Sequence, residues 1–274
     1  MGCPTSDSAD KDRDEPDAHA PAERSAAWAV HEVDKRYRDG TYLASNPGWH
    51  LADSAFKAKE ALRAISDQVL EEWRQGGGVR VCDIGCGAGG VLAGVVAGLR
   101  QRGLEVGRAV GYDISPQAIA LARRHHPELE FRCEDFFSSD ETYDLGLLID
   151  VLEHLAEPES FLRSVAPRMQ WVLVHLPLEQ NLYAIVRGQQ DLRRREVGHL
   201  HFFHRFSALG LLRQGGYDVV RWHYTVDLRD QGLSWRGRVW RHLMRMGMAI
   251  APDLAVHTLG CASVMALCRR SQLP

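Results

Sequence analysis

The stretch VCDIGCGAGG at 81–90 decides the fold. An apolar strand runs into Gly85, Gly87 and Gly89, and the chain passes straight into a Gly/Ala/Leu-rich helix. Glycine at such points permits positive φ and leaves room for a ligand beside the backbone, while the helix start offers unpaired N–H groups. This reads as a nucleotide-binding turn; a tight turn in any α/β unit is the alternative. Strand and helix then alternate: VRVCDIG at 79–85, a helix at 89–100, RAVGYDI at 108–114, a helix at 116–125, LEFRCEDF at 129–136, YDLGLLID at 143–150, a helix around 158–166 and WVLVHLP at 171–177. Short apolar runs separated by helices are strands buried on both faces of a parallel sheet, and right-handed crossovers make that sheet doubly wound. The expected class is therefore α/β, a three-layer sandwich.

A second signal agrees with the first. Asp113 ends the GYDI strand 24 residues after Gly89, where an acid accepts hydrogen bonds from both ribose hydroxyls of a nucleoside. Its alternative role is to cap the helix that starts at Ser115-Pro116.

The flanks are less specific. Residues 1–25 carry seven acids and three bases with almost no large apolar residue, which predicts a disordered acidic tail. Residues 26–76 read as helices interrupted at Asn46-Pro47-Gly48, with Asp53 or Ser54 capping a helix ahead of Ala55 and Gly76-Gly77-Gly78 ending it. Residues 77–274 form the main domain, with an Arg-rich helical insertion over about 178–251 and a final strand at 258–270. The chain is 274 residues long with 45% hydrophobic and 25% charged residues and net charge −3, values of an ordinary globular protein. No stretch approaches the ~20 apolar residues of a membrane span, so a cytoplasmic protein is expected. Six cysteines without a CxxC pair argue against a disulfide scaffold or a zinc ribbon.

The combination D-x-G-C-G-x-G, built from Asp83, Gly85, Cys86, Gly87 and Gly89, resembles the first motif of the class I S-adenosylmethionine (SAM) dependent methyltransferases, over roughly residues 77–177. Gly90 directly after Gly89 departs from the GxGxxG of dinucleotide dehydrogenases. The resemblance implies a Rossmann-like, seven-stranded, mostly parallel sheet and SAM as cofactor. It also implies that Asp113 and Ile114 serve the ribose and that Asp135 and Phe136 serve the adenine. IDVLEHL at 149–155 is similar to the fourth motif of the small-molecule branch. That similarity makes Asp150 a candidate for the SAM ammonium or for a helix cap, and sets His154 in the cavity or packed behind it.

GHLHFFHRFS at 198–207 is similar to a histidine- and aromatic-rich region of the same branch. His199, His201 and His204 lack the spacing and carboxylate of a metal site, so no metal is expected. A hydroxyl or amine acceptor needs a base, for which His201, His199 and Asp150 are the candidates in that order. Tyr37, Tyr42, Trp49, His50 and Lys57 read as a lid over a sulfonium, whose charge aromatic faces attract. Packing on the sheet is the equal alternative for the lid, and Lys57 either pairs with the methionine carboxylate or faces solvent.

From Arg187 to Arg245 there are twelve arginines, five acids and no lysine. This suits an anionic acceptor or a carrier protein's phosphopantetheine arm; weak aromatic interleaving argues against nucleic acid. WRGRVWRHLMRMGMAI reads as a helix packed beneath the final strand, or as an amphipathic helix at a dimer or membrane surface.

The expected function is methyl transfer from SAM to a small-molecule acceptor. Two rivals remain: intramolecular cyclisation of SAM to azetidine-2-carboxylate with release of methylthioadenosine, and a SAM-binding or partner-binding module without turnover.

Overall fold

Strand β1 (Val79–Ile84) is buried at every position except Arg80, because helices cover both of its faces. The computed structural model describes residues 51–227 and 235–272. Six further strands complete the sheet: β2 (Val106–Asp113), β3 (Glu130–Cys133), β4 (Tyr143–Ile149), β5 (Met169–Pro177), β6 (Tyr217–Thr225) and β7 (Ser263–Arg270). Their order is β3-β2-β1-β4-β5-β7-β6. The first five strands pair in parallel, and β7 runs antiparallel to both β5 and β6. The expected Rossmann-like three-layer sandwich with a seven-stranded, mostly parallel sheet is what forms.

Side chains of period two divide between two cores. On one face Val81, Leu145, Leu147, Trp171 and Leu173 pack under α1 (Leu51–Ala64), α2 (Asp67–Gln75) and α3 (Gly90–Gln101). On the other, Cys82, Leu148, Val172 and Val174 meet Leu162 of α5 (Pro158–Val165) and Leu212 of α8 (Arg205–Gln214). Helix α4 (Pro116–His125) starts at Ser115, whose side chain accepts from Ala118 N at 3.4 Å, with Pro116 in the first turn. Helices α1 and α3 touch so closely that a Cβ on Gly94 would lie 2.6 Å from Ala58 Cβ, and one on Gly98 would overlap Leu62.

Several boundaries differ from the sequence reading. α1 already begins at Leu51, so Asp53 and Ser54 lie inside its first turn instead of capping it; the cap belongs to Ser66 at the start of α2. Residues 178–251 are not wholly helical. They hold α6 (Leu182–Val186), α7 (Gln189–Glu196), α8, strand β6 and α9 (Trp235–Ile250). A tenth helix, α10 (Pro252–Leu259), takes residues 258–259 from the expected last strand, because Gly260 with φ 74° stops the helix just before β7. α9 packs on α10, where a Cβ on Gly247 would meet Ala255 Cβ at 2.7 Å. No helix among the described residues is long and apolar enough to cross a membrane. The acidic tail and the lid residues Tyr37, Tyr42, Trp49 and His50 lie outside the described residues.

Candidate functional site

Sheet order reverses between β1 and β4, and the crevice at the carboxyl ends of these strands is where an open α/β sheet receives its ligand. A cavity of about 1220 Å³ opens there. At one end lies the turn after β1. Gly85 has φ 71°, and a Cβ on it would meet Val151 Cγ2 at 2.8 Å, so both backbone and space require glycine. The Gly85 and Cys86 N–H groups donate to Tyr112 O at 2.8 and 3.0 Å, which pins the turn to β2. Gly87 N–H donates to Asp113 Oδ2 at 2.9 Å and Ser115 N–H donates to Oδ1 at 2.8 Å.

Asp113 thus faces the turn and the cavity with lone pairs to spare. Burial raises its carboxyl to about 6, against the pull of the Ser115 and Gly87 amides. Asp83 sits beside it, buried, with Oδ1 unpartnered among the described residues. Burial and the Asp113 charge push the Asp83 carboxyl well above the usual range. Two carboxyl groups beside a glycine turn with no room for a Cβ suit a ligand rich in hydroxyl donors and carrying positive charge. The ribose, ammonium and sulfonium of SAM answer that description.

Ile114, Glu134, Asp135 and Phe136 line the same end. Asp135 Oδ1 accepts from Phe137 N at 2.8 Å and so caps the short 3-10 turn that presents the two phenylalanines. Cys86 lines the cavity too, but burial lifts its thiol well above the normal value, so it is not a thiolate. Gly89 is not on the cavity wall; a Cβ there would lie 2.5 Å from Phe131 Cζ, and its role is packing.

The middle of the cavity is built on Asp150, a non-glycine residue at φ 55°. Lys57 from α1 pairs with its Oδ2 at 2.5 Å, and His175 Nδ1 meets its Oδ1 at 2.5 Å. His175 Nε2 in turn lies 2.9 Å from Thr225 Oγ1. Burial works to raise the Asp150 carboxyl, but the charges of His175 and Lys57 overcome it and hold it well below the usual range. Burial likewise disfavours the Lys57 ammonium, and Asp150 reverses this to raise its pKa.

The far end holds Glu153, His154, Glu179 and His199. Glu153 is fully buried with both carboxyl oxygens unpartnered among the described residues. Burial, and then the charge of Asp150, drives it well above the ordinary value. Burial, and then His199, lowers His154 to about 4. His199 Nδ1 lies 2.6 Å from Glu179 Oε2, and Glu179 Oε1 pairs with Arg193 at 3.1 Å. Glu153, His154 and His199 each bring one oxygen or nitrogen to within 4.8 Å of the others, a grouping able to engage a cation or a ligand's hydrogen-bond donors.

The three histidines of 198–207 do not converge. His201 is off the cavity wall with Nε2 3.1 Å from Ala156 O, and His204 caps α8 by accepting from Ser207 N at 3.0 Å. His175, Glu179 and Glu153 were not foreseen. A signal for the first was available: a histidine inside the apolar run WVLVHLP is buried, and a buried imidazole needs partners.

The family described as methyltransferase domain matches residues 54–221. The ubiquinone biosynthesis O-methyltransferase of Cereibacter sphaeroides (strain ATCC 17025 / ATH 2.4.3) is 37% identical over 58% of this chain and 72% of its own. That of Aliivibrio fischeri (strain MJ11) is 29% identical over 53% of this chain, and the match spans 65% of the relative's length. Among solved structures, magnesium protoporphyrin IX methyltransferase from Synechocystis PCC 6803 with bound SAM superposes with a TM-score of 0.52 at 16% identity, over 89% of this chain and 99% of that one; this likeness speaks for the fold. Since the matched span begins in α1 and ends in β6, it takes in the glycine turn, Asp113, Asp150 and His199, and the chain belongs to the class I SAM-dependent methyltransferases, with SAM as its cofactor.

Proposed function

We propose that the protein transfers the methyl group of SAM to a hydroxyl of a small-molecule acceptor, with His199 taking the acceptor's proton. The observation that carries this reading is the continuity of the cavity from Asp113 to the His199–Glu179 pair. At about 1220 Å³ it exceeds the upper end, roughly 1,000 Å³, of the volume that holds one drug-sized ligand. Room for a second molecule favours an external acceptor over cyclisation of SAM. The relatives' naming as O-methyltransferases supports a hydroxyl as the group methylated.

Bound SAM supplies a methyl group already activated on a sulfonium. The chain's own residues supply position and a proton acceptor. Asp113 receives the ribose hydroxyls. The Lys57–Asp150 pair is complementary to an amino acid: Asp150 receives the ammonium and Lys57 the carboxylate. His175 fixes Asp150 from behind, with its own far nitrogen at Thr225. At the acceptor end, Glu179 receives the Nδ1–H of His199, which leaves Nε2 as the basic nitrogen and stabilises the imidazolium that forms. Phe136, Phe137 and Leu155 add apolar lining to the cavity wall.

Incubation with methyl-labelled SAM and candidate phenolic and alcoholic acceptors, followed by identification of the nucleoside product, tests the proposal. S-adenosylhomocysteine together with a labelled acceptor is the expected result. Methylthioadenosine instead would establish cyclisation, and unconsumed SAM with every acceptor would leave only a binding module.

A further inference from the structure

The middle and far end of the cavity wall carry three carboxyl groups that are not exposed, on Asp150, Glu153 and Glu179. Two of them have a cation: Lys57 pairs with Asp150 at 2.5 Å and Arg193 with Glu179 at 3.1 Å. Glu153 has none among the described residues. It is fully buried, and both of its oxygens lack a partner there.

The neighbouring histidines do not supply the missing charge. Burial and His199 hold His154 at about 4, so it is neutral at pH 7. Its Nδ1 lies 3.3 Å from Gly198 O, a carbonyl that only accepts, so this nitrogen carries the ring hydrogen. His199 directs its own Nδ1–H away from Glu153, to Glu179. A lone carboxylate is costly in such a place, and burial together with the charges of Asp150 and Glu179 keeps the proton on Glu153.

We propose that the acceptor carries an ammonium group beside the hydroxyl that is methylated, and that Glu153 is the residue that selects it. The substrate class is then an amino alcohol or an aminomethyl phenol. The proposal rests on the methyl-transfer reading, which sets the hydroxyl at His199. One oxygen of Glu153 and one nitrogen of His199 lie within 4.8 Å of each other. Two ligand groups held at about 2.7–2.9 Å from these atoms can therefore belong to neighbouring positions of one small molecule. A second hydroxyl in place of the ammonium would satisfy one Glu153 oxygen but leave three carboxyl groups to two cations. An ammonium ends that imbalance and gives Glu153 a charge-assisted bond, about twice as strong as a neutral one. SAM's own ammonium and carboxylate leave the count unchanged, since they meet Asp150 and Lys57 as a pair.

The probes are 2-(aminomethyl)phenol and its neutral counterpart 2-(hydroxymethyl)phenol, which differ only in ammonium against hydroxyl. Each is titrated calorimetrically into the full chain saturated with S-adenosylhomocysteine, and each is offered as acceptor with labelled SAM. The amine is expected to bind about tenfold or more tightly than the alcohol and to be O-methylated with a correspondingly higher kcat/KM. Its binding is expected to release about one proton, read from the dependence of the heat on the buffer, because Glu153 ionises against the ammonium. Glu153→Gln should erase both the preference and the proton release without lowering the thermal midpoint. An amine that does not bind, equal binding of the two probes, no proton release, or a preference that survives Glu153→Gln would overturn the proposal. So would loss of the preference in EDTA, which would assign Glu153, His154 and His199 to a divalent ion. Equal methylation of both phenols would remove this inference and leave methyl transfer standing. Tighter amine binding with no S-adenosylhomocysteine formed from either probe would count against methyl transfer and keep Glu153 as an ammonium site.

Discussion

Replacing Asp150 with asparagine removes one charge and little else, because asparagine tolerates the left-handed backbone at φ 55° that this position imposes. The carboxylate it removes sits 2.5 Å from both Lys57 Nζ and His175 Nδ1. Breaking a buried ion pair by deleting one partner costs about 3–5 kcal/mol. Here the side chains are 17% and 27% exposed, so some solvent screening remains and about 2–4 kcal/mol is expected. Urea denaturation of wild type and Asp150→Asn at neutral pH measures the difference. The pH dependence has a definite sign. The Asp150 carboxyl is held below its unfolded value, so its contribution is present above the ordinary aspartate range and is lost as pH falls through the folded value. The gap between the two proteins should therefore narrow in acid. A neutral-pH difference under about 0.5 kcal/mol, the scatter of surface substitutions, would refute the view that this pair is a buried charge clamp.

Asp113→Asn should weaken SAM binding by about 1.5–3 kcal/mol, the worth of hydrogen bonds to a charged group, in calorimetric titration. Because burial raises Asp113 to about 6, wild-type affinity should fall as pH drops below that value, and the variant should lack this step. Glu179→Gln should lower kcat by roughly tenfold or more while leaving the affinity for SAM unchanged, since it weakens only the support behind His199. Gly98→Val should lower stability by about 1–3 kcal/mol in thermal denaturation, because the added side chain overlaps Leu62 where α1 crosses α3.

What could be read from the chain was local in origin. Gly85 and Asp113 announce themselves because a turn with positive φ and an acid at a strand tip are decided by a few neighbouring residues. The parallel strands were legible for the same reason: a strand covered on both faces is apolar along its whole length. Where α1 begins was not, since the capping residue types Asp53 and Ser54 fall inside the helix, whose residue Leu51 packs against Ala88 and Ala118. His199 was among the candidates, but nothing in the spacing of 198–207 separates it from His201. Only the fold brings Glu179 to one and Ala156 O to the other. His175, Glu153 and Glu179 belong to segments that meet through the order of strands, which no single stretch encodes.

The backbone carbonyl of Glu153 accepts from both Leu200 N at 2.8 Å and His201 N at 3.2 Å. These two bonds join the turn after β4 to the loop before α8, although more than forty residues separate them in the chain. Any attempt to retarget the enzyme by transplanting one of these segments from a homologue would break this seam beside the cavity. Successful exchange of substrate preference therefore calls for moving both pieces together as a single cassette.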